Sequence, residues 1–149
     1  MAFNVQEARP RQTRSCCLLL VVGGLHWGMD ESTTIGNLKE KITAFRDARD
    51  WSKHNDPKSL AEALSIEAGE LLEVFLWKSQ NDVTELLKTN AEYREALADE
   101  IADVFLYLMQ MAQDTNIDVA TAVAHKMEKN AIKYPVQAWK GKATNKYAA

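Results

Sequence analysis

Two pairs of acidic residues lie in the most apolar parts of this chain, and they constrain its fold and chemistry more than any other feature. Glu67 and Glu70 are three residues apart among Leu, Ala and Val side chains, and Glu100 and Asp103 repeat that spacing further along. In an α-helix, residues at i and i+3 lie on nearly the same face, so each pair directs two carboxylates the same way. We therefore expect the pairs to face each other across a helix bundle and to bind a hard metal ion.

Four converging carboxylates need a cation. Like charges about 5 Å apart repel by roughly 3 kcal/mol per pair at an effective dielectric constant near 20. A divalent ion removes this repulsion, and a ligand set made only of oxygens favours Mg²⁺, or Mn²⁺, over zinc and copper. The alternative is that the acidic residues only cover solvated helix faces, which is the usual role of a single pair. Two such pairs among apolar residues favour the metal site.

Other cofactor classes fit the pattern poorly. Di-iron bundles place a histidine three residues after a glutamate, whereas Glu70 and Asp103 occupy those positions here. The Gly23-Gly24 pair belongs to neither a dinucleotide fingerprint nor a phosphate-binding loop with its lysine. The sequence also indicates no serine or cysteine nucleophile.

Length and charge indicate one ordinary soluble domain. The chain has 149 residues and a formal net charge of −3, which gives no overall attraction to nucleic acid or to an anionic membrane. The adjacent Cys16 and Cys17 suit neither a disulfide framework nor a zinc site. We therefore expect a cytoplasmic protein with no nucleic-acid or membrane partner.

The N-terminal region has three arginines followed by the apolar run 16–22, roughly the layout of a signal peptide. No clear cleavage site follows, and the run is much shorter than the ~20 residues that span a bilayer. We expect residues 1–35 to be a poorly ordered or peripheral leader. The domain would then cover residues 36–140, followed by a frayed tail over 141–149.

Apolar residues that recur every three or four positions predict four amphipathic helices. The predicted helices cover residues 37–51, 60–78, 91–114 and 119–133, with a loop at 53–57 and a polar link at 79–90. We expect Asn37 with Glu40, Ser59 with Glu62, and Asp118 to cap three of them. The fold class is therefore predicted to be an all-α four-helix bundle. Its broad apolar surfaces favour a homodimer or a larger assembly.

Two further groups of residues suit a nucleotide. Basic and polar residues cluster near the end of the fourth helix, where they could bind phosphates: Lys126, Lys129, Asn130, Lys133 and Tyr134. Lysines at a helix C-terminus are also favoured by the helix dipole alone and are then simply solvated. Trp51, His54 and Trp77 could stack on a nucleobase, although core packing or an oligomer interface is the commoner role of such aromatic side chains. His125 is predicted to be an ordinary surface histidine.

Several motifs together resemble the MazG-type all-α nucleoside triphosphate pyrophosphohydrolases, in particular the branch that contains the dCTP pyrophosphatases. The resemblance covers residues 38–136. It rests on Phe45-Arg46-Asp47-Ala48-Arg49-Asp50-Trp51, Glu67-Ala68-Gly69-Glu70-Leu71, Phe75-Leu76-Trp77, Asp99-Glu100-Ile101-Ala102-Asp103-Val104 and Lys126-Met127-Glu128-Lys129-Asn130-Ala131-Ile132-Lys133-Tyr134-Pro135. The family pattern is Glu-Glu-x-x-Glu followed by Glu-x-x-Asp, and Ile66 stands here in place of the first Glu.

The resemblance implies Mg²⁺-dependent hydrolysis of a nucleoside triphosphate to its monophosphate and pyrophosphate, with dCTP-like or modified deoxynucleotides as substrates. It implies that Glu67, Glu70, Glu100 and Asp103 are the metal ligands, with Glu70 as a base. It also implies that His54, Trp77 and Trp51 form the base pocket. Lys126, Lys129, Asn130, Lys133 and Tyr134 would contact the nucleotide. The assembly that the apolar surfaces favour would be a homodimer or homotetramer. The alternative from another class is a non-catalytic helical module that binds a nucleotide or a protein.

Overall fold

Every regular element in the described part of the chain, residues 29–142 of this computed structural model, is helical. The elements are α1 (Ile35–Asp47), a 3₁₀ turn (Ser52–His54), α2 (Pro57–Glu73), α3 (Gln80–Thr89), α4 (Ala91–Asp114), α5 (Val119–Lys133) and α6 (Val136–Trp139). The predicted all-helical fold class is therefore confirmed. The predicted leader and tail lie mainly outside the described residues.

Two of the predicted helix caps are wrong, because each helix begins earlier than its apolar stripe. Thr34 caps α1, and Asn37 occupies the third helical position, where its amide donates to Thr34 Oγ1 at 3.1 Å. Asp56 caps α2 by accepting hydrogen bonds from the amides of Lys58 and Ser59. Pro57 fits the first helical position, where no backbone N–H is required. The predicted cap at Asp118 is confirmed, since its carboxylate accepts from the amide of Thr121 at 2.8 Å.

The predicted polar link at 79–90 contains a helix instead, α3. Ser79 and Asp82 form a reciprocal capping box at its start. Three residues at helical spacing, Val83, Leu86 and Leu87, are partly buried, and α3 packs against α4. Its apolar stripe is narrow, so the segment reads as polar on average although it follows helical periodicity.

α4 is the central element, and it has the predicted bounds. It packs most extensively against α2 and less extensively against α1 and α3. Leu60, Met109 and Ala112 are the buried core residues among those described. Arg46 on α1 forms an ion pair with Asp114 at 2.8 Å. This contact fixes the end of α1 beside the end of α4.

Many large apolar side chains remain exposed on α2, on the turn that follows it, and on α4 and α5. They include Ile66, Leu72, Leu76, Ile101, Leu108, Val123, Met127 and Ile132. In the single chain, α5 makes only sparse contacts with the other helices. None of the described helices is long and apolar enough to cross a membrane.

The chain divides into two units between Ser32 and Thr33. Of the first unit, the structure describes residues 29–32. They form a turn in which the Ser32 amide donates to the Met29 carbonyl at 3.0 Å.

Candidate metal and nucleotide site

Glu67 lies on the face of α2 that packs into the protein. The apolar residues that share its stripe, at helical spacings of three, four and seven positions from it, are buried or partly buried: Leu60, Leu64, Leu71 and Val74. Glu67 itself is partly buried, whereas Glu70 is exposed. The helical period thus places one carboxylate of the first pair inside the α2 stripe and the other at its edge.

Glu100 occupies the equivalent place on α4. Leu97, Val104 and Met111 share its stripe, and all three are partly buried, as is Glu100. The Oε2 atom of Glu100 is buried from solvent. The two most extensively packed helices of the chain therefore each carry a carboxylate within an apolar stripe.

Three carboxylates converge at this site. One oxygen each from Glu67, Glu100 and Asp103 lies within 4.8 Å of the others. Two oxygens bound to one Mg²⁺ at 2.0–2.1 Å are at most about 4.2 Å apart, so small side-chain rotations would close the three on an ion. Glu70 is not a member of this group.

The electrostatics of the group disfavour a full set of charges. Burial raises the pKa of Asp103, and the nearby charges of Asp99 and Glu70 raise it further. Glu70 is thus close enough to act on Asp103 through its charge. Because the donor set is made only of carboxylate oxygens and includes a buried atom, it suits a hard divalent cation.

The end of α1 places Trp51 against the helix. Asp50 adopts a left-handed backbone conformation, with φ of 55°. This turn directs the Trp51 amide to the Arg46 carbonyl at 3.2 Å and the Asp50 amide to the Asp47 carbonyl at 3.0 Å. These are the two bonds of a Schellman motif, in which a hydrophobic contact normally joins the residue after the turn to the helix.

That contact is aromatic and includes an arginine. The Phe45 and Trp51 rings meet edge to face, with centroids 6.0 Å apart. The Arg49 guanidinium carbon lies 3.5 Å from the Phe45 centroid and 5.7 Å from the Trp51 centroid. Trp51 is nevertheless 50% exposed, so part of its indole surface remains accessible.

A hydrogen bond between two amides ties the following loop to α4. Asn55 Nδ2 donates to Gln110 Oε1 at 2.7 Å, and both side chains are partly buried. Gln110 is seven residues after Asp103, which is two helical turns, so the two residues share a face about 10 Å apart. The loop therefore lies against the face of α4 that also carries Asp103.

The other aromatic candidates are exposed. His54 lies in the 3₁₀ turn. Trp77 follows α2, is 97% exposed and has φ of 61°. α2 ends at Glu73 instead of continuing to Lys78 as predicted. A left-handed conformation at a bulky residue is uncommon and costs roughly 1–2 kcal/mol, and no burial of the indole offsets it in this chain.

The candidate phosphate-binding residues all lie on α5 or directly after it. The three lysines are exposed, whereas Asn130 and Tyr134 are partly buried. Tyr134 packs edge to face on Trp139, with centroids 5.1 Å apart, and Lys133 Nζ lies 5.1 Å from the Tyr134 ring. Tyr134 is thus held by its neighbours at the end of α5.

Gly69 faces open space among the described residues. A Cβ atom built at this position meets nothing within 4 Å. Among the described residues, no neighbouring helix therefore packs closely at this position.

Sequence reasoning missed Asn55, Gln110 and Arg49. Asn55 and Gln110 are far apart in sequence, and no local pattern joins them. Arg49 could have been found from the sequence. It is four residues after Phe45 and two before Trp51, so it can contact both rings if the helix ends between Phe45 and Trp51.

The chain is similar to proteins of known family. A family model described as MazG-like matches residues 63–147. The chain is 36% identical over 110 residues to dCTP pyrophosphatase 1 of Mus musculus, which covers 74% of this chain and 64% of that protein. The chain is also 34% identical over 102 residues to dCTP pyrophosphatase 1 of Homo sapiens. That alignment covers 68% of this chain and 59% of the human protein. The chain thus spans less than two thirds of the length of these curated relatives.

A solved structure is also similar. The crystal structure of a pyrophosphatase from Archaeoglobus fulgidus matches with a TM-score of 0.62 and 40% sequence identity, covering 68% of this chain and 92% of that one.

Proposed function

The chain belongs to the MazG-like family, as its motifs indicated, and from this premise we propose that it is a divalent-metal-dependent nucleoside triphosphate pyrophosphohydrolase. It would cleave the bond between the α- and β-phosphates and release a monophosphate and pyrophosphate. The observation that carries this proposal is the convergence of Glu67, Glu100 and Asp103 between the two best-packed helices. The relatives named dCTP pyrophosphatase 1 and the similar pyrophosphatase structure support it.

In this proposal Glu67, Glu100 and Asp103 hold the metal, with Mg²⁺ as the expected ion and Mn²⁺ as a substitute. When bound, such an ion neutralises phosphate charge and lowers the pKa of an attacking water. Glu70 is exposed beside Asp103, so it can take part as a fourth ligand or accept the proton of that water. Ile66 stands where the family pattern has another glutamate and is 62% exposed, which leaves one ligand fewer.

The nucleotide would extend from the carboxylates towards the loop between α1 and α2. Trp51, His54 and Trp77 all have exposed surface, and stacking between such side chains is how a base is commonly held. The exposed indole of Trp77 in a strained backbone suits this role, since strain is often retained at ligand-binding positions. dCTP or a related modified deoxynucleotide is the proposed substrate, which gives a role in cleaning the cytoplasmic nucleotide pool.

The α5 residues would contact the phosphates. Lys126, Lys129 and Lys133 offer cationic groups, and Asn130 and Tyr134 offer hydrogen bonds. α5 packs sparsely in the single chain, so we propose that assembly into a homodimer or homotetramer, with a four-helix bundle as the core, brings it to the site. The exposed apolar side chains of α2, α4 and α5 support this assembly.

A non-catalytic module that binds nucleotides or proteins is the alternative. Three converging carboxylates favour the enzyme, because binding alone does not require charges that repel one another. The test is incubation of the full chain with a panel of nucleoside triphosphates and Mg²⁺, with products separated by ion exchange. dCMP and pyrophosphate are expected. Diphosphate and orthophosphate would contradict the proposed bond cleavage, and a lack of turnover with every nucleotide would favour the binding module.

A further inference from the structure

The Asn55–Gln110 amide pair connects the loop after α1 to the face of α4 that carries Asp103. Asn55 Nδ2 donates to Gln110 Oε1 at 2.7 Å. This bond uses one of the two N–H groups of Asn55 and leaves its Oδ1 and both N–H groups of Gln110 available. A partly buried amide that keeps this much hydrogen-bonding capacity can do more than join two segments.

The location of the pair suits a nucleobase. Gln110 lies about 10 Å along α4 from Asp103, on the same face. A nucleoside whose α-phosphate lies at the carboxylates extends over a comparable distance. The 3₁₀ turn also places Asn55 within one turn of Trp51, because the amides of His54 and Asn55 donate to the carbonyls of Trp51 and Ser52. A polar recognition element therefore lies next to an aromatic one.

We propose that the Asn55–Gln110 pair reads the hydrogen-bonding edge of the base and selects a base that carries an amino group beside a ring acceptor. Asn55 Oδ1 accepts from the amino group, and Gln110 Nε2 donates to the ring nitrogen. Cytosine presents this edge, whereas thymine and uracil present a carbonyl and a ring N–H, which would oppose an acceptor with an acceptor and a donor with a donor. This inference rests on the proposed function and adds the residues that determine its specificity.

The hydrogen bond between the two side chains fixes the orientation of their remaining donor and acceptor groups. While Asn55 Nδ2 is engaged with Gln110 Oε1, neither amide can rotate alone without losing the bond and leaving a partly buried group unsatisfied. Sites that hydrogen-bond a substrate group discriminate strongly against analogues that lack it. The pair can therefore be a source of selectivity, and not only an attachment of the loop.

The Gln110→Glu variant distinguishes attachment of the loop from recognition of the base. The carboxylate still accepts from Asn55 Nδ2, so the loop stays attached, but the donor to the base is removed. The added charge affects every triphosphate alike, so the measured quantity is the ratio of kcat/KM for dCTP to that for dTTP. We expect this ratio to fall by about tenfold or more, the usual effect of one lost hydrogen bond in a buried site. Asn55→Ala, a loop substitution with little risk to folding, should lower the ratio in the same direction.

Gln113→Glu is the matched control, because Gln113 is exposed on the same helix and its variant should keep the wild-type ratio. An unchanged ratio in active Gln110→Glu and Asn55→Ala enzymes would overturn the inference and leave the proposed function intact. A ratio that rises would show that the amides read the opposite edge and would also overturn it. If the wild-type chain turns over no nucleotide, the proposed function and this inference both fail.

Discussion

Glu67 of α2 and Glu100 of α4 meet across the interface between the two most extensively packed helices, each within a stripe of apolar residues. With Asp103, they bring carboxylate oxygens within 4.8 Å of one another. Repulsion of roughly 3 kcal/mol per pair at such distances opposes folding. An apolar residue at either position would pack without this cost, so the arrangement is better explained by a ligand than by stability.

The first prediction follows from the repulsion between these carboxylates. Glu100→Gln keeps the size of the side chain and removes one of the repelling charges. Without divalent metal, the variant should unfold at a higher urea concentration than the wild type. With Mg²⁺ and dCTP, its turnover should fall by at least about 100-fold, since a metal-activated nucleophile is lost.

Glu95→Gln is the matched control for that experiment. Glu95 is exposed on α4, and five residues of helix place it on the opposite side from Glu100. Both its stability and its turnover should match the wild type. Equal turnover in Glu100→Gln and the wild type would remove Glu100 from the site.

The second prediction is that a substitution at Trp77 changes substrate binding but leaves stability almost unchanged. Trp77→Gly relieves the left-handed backbone conformation but adds the conformational freedom of glycine to the unfolded state. The free energy of unfolding should therefore stay within about 1 kcal/mol of the wild-type value. The KM for dCTP should rise clearly, because an exposed stacking surface is lost. An unchanged KM would show that Trp77 does not contact the base.

Gly69 provides a third prediction. Gly69→Ala places a methyl group in open space within the chain and should stabilise α2 by up to about 1 kcal/mol, the difference in helix propensity. Thermal unfolding would measure this as a higher Tm. A lower Tm would show that another copy of the chain packs against this surface of α2.

The fourth prediction concerns acid stability. Hydrogen bonds from the hydroxyl and amide of Ser59 hold the pKa of Asp56 below its ordinary value of 3.8. The charged carboxylate therefore stabilises the fold above that value, and this contribution is lost as the pH falls through the lowered pKa of the folded state. Asp56→Asn retains a capping oxygen without the charge, so urea unfolding below about pH 4 should depend less on pH than in the wild type. Identical pH profiles would exclude this contribution.

Local patterns predicted much of the helical structure. α4 and the Asp118 cap were clear because a long apolar stripe and a favourable capping residue mark them. α3 was missed, although Ser79 and Asp82 have the spacing of a capping box, because its few apolar residues are set among polar ones. The caps at Thr34 and Asp56 were misplaced because the first turn of each helix lies before its apolar stripe begins.

The site could be predicted only where the helical period determines it. The spacing of Glu67 and Glu100 relative to their apolar neighbours places both within buried stripes, and this can be deduced from one helix at a time. The separation of Glu70 from the three-carboxylate group depends on how α2 and α4 are rotated against each other. The Asn55–Gln110 contact joins residues 55 positions apart, and only the packed structure brings them together.

The central claim is that Glu67, Glu100 and Asp103 bind a divalent ion, and a Mn²⁺ titration followed by the electron paramagnetic resonance signal of the free ion tests it most directly. The wild-type chain should remove Mn²⁺ from solution stoichiometrically, and added Mg²⁺ should release it. Glu67→Gln should weaken this binding by at least about tenfold, while Glu95→Gln should bind like the wild type. Equal Mn²⁺ affinity in Glu67→Gln and the wild type would contradict the proposed metal site.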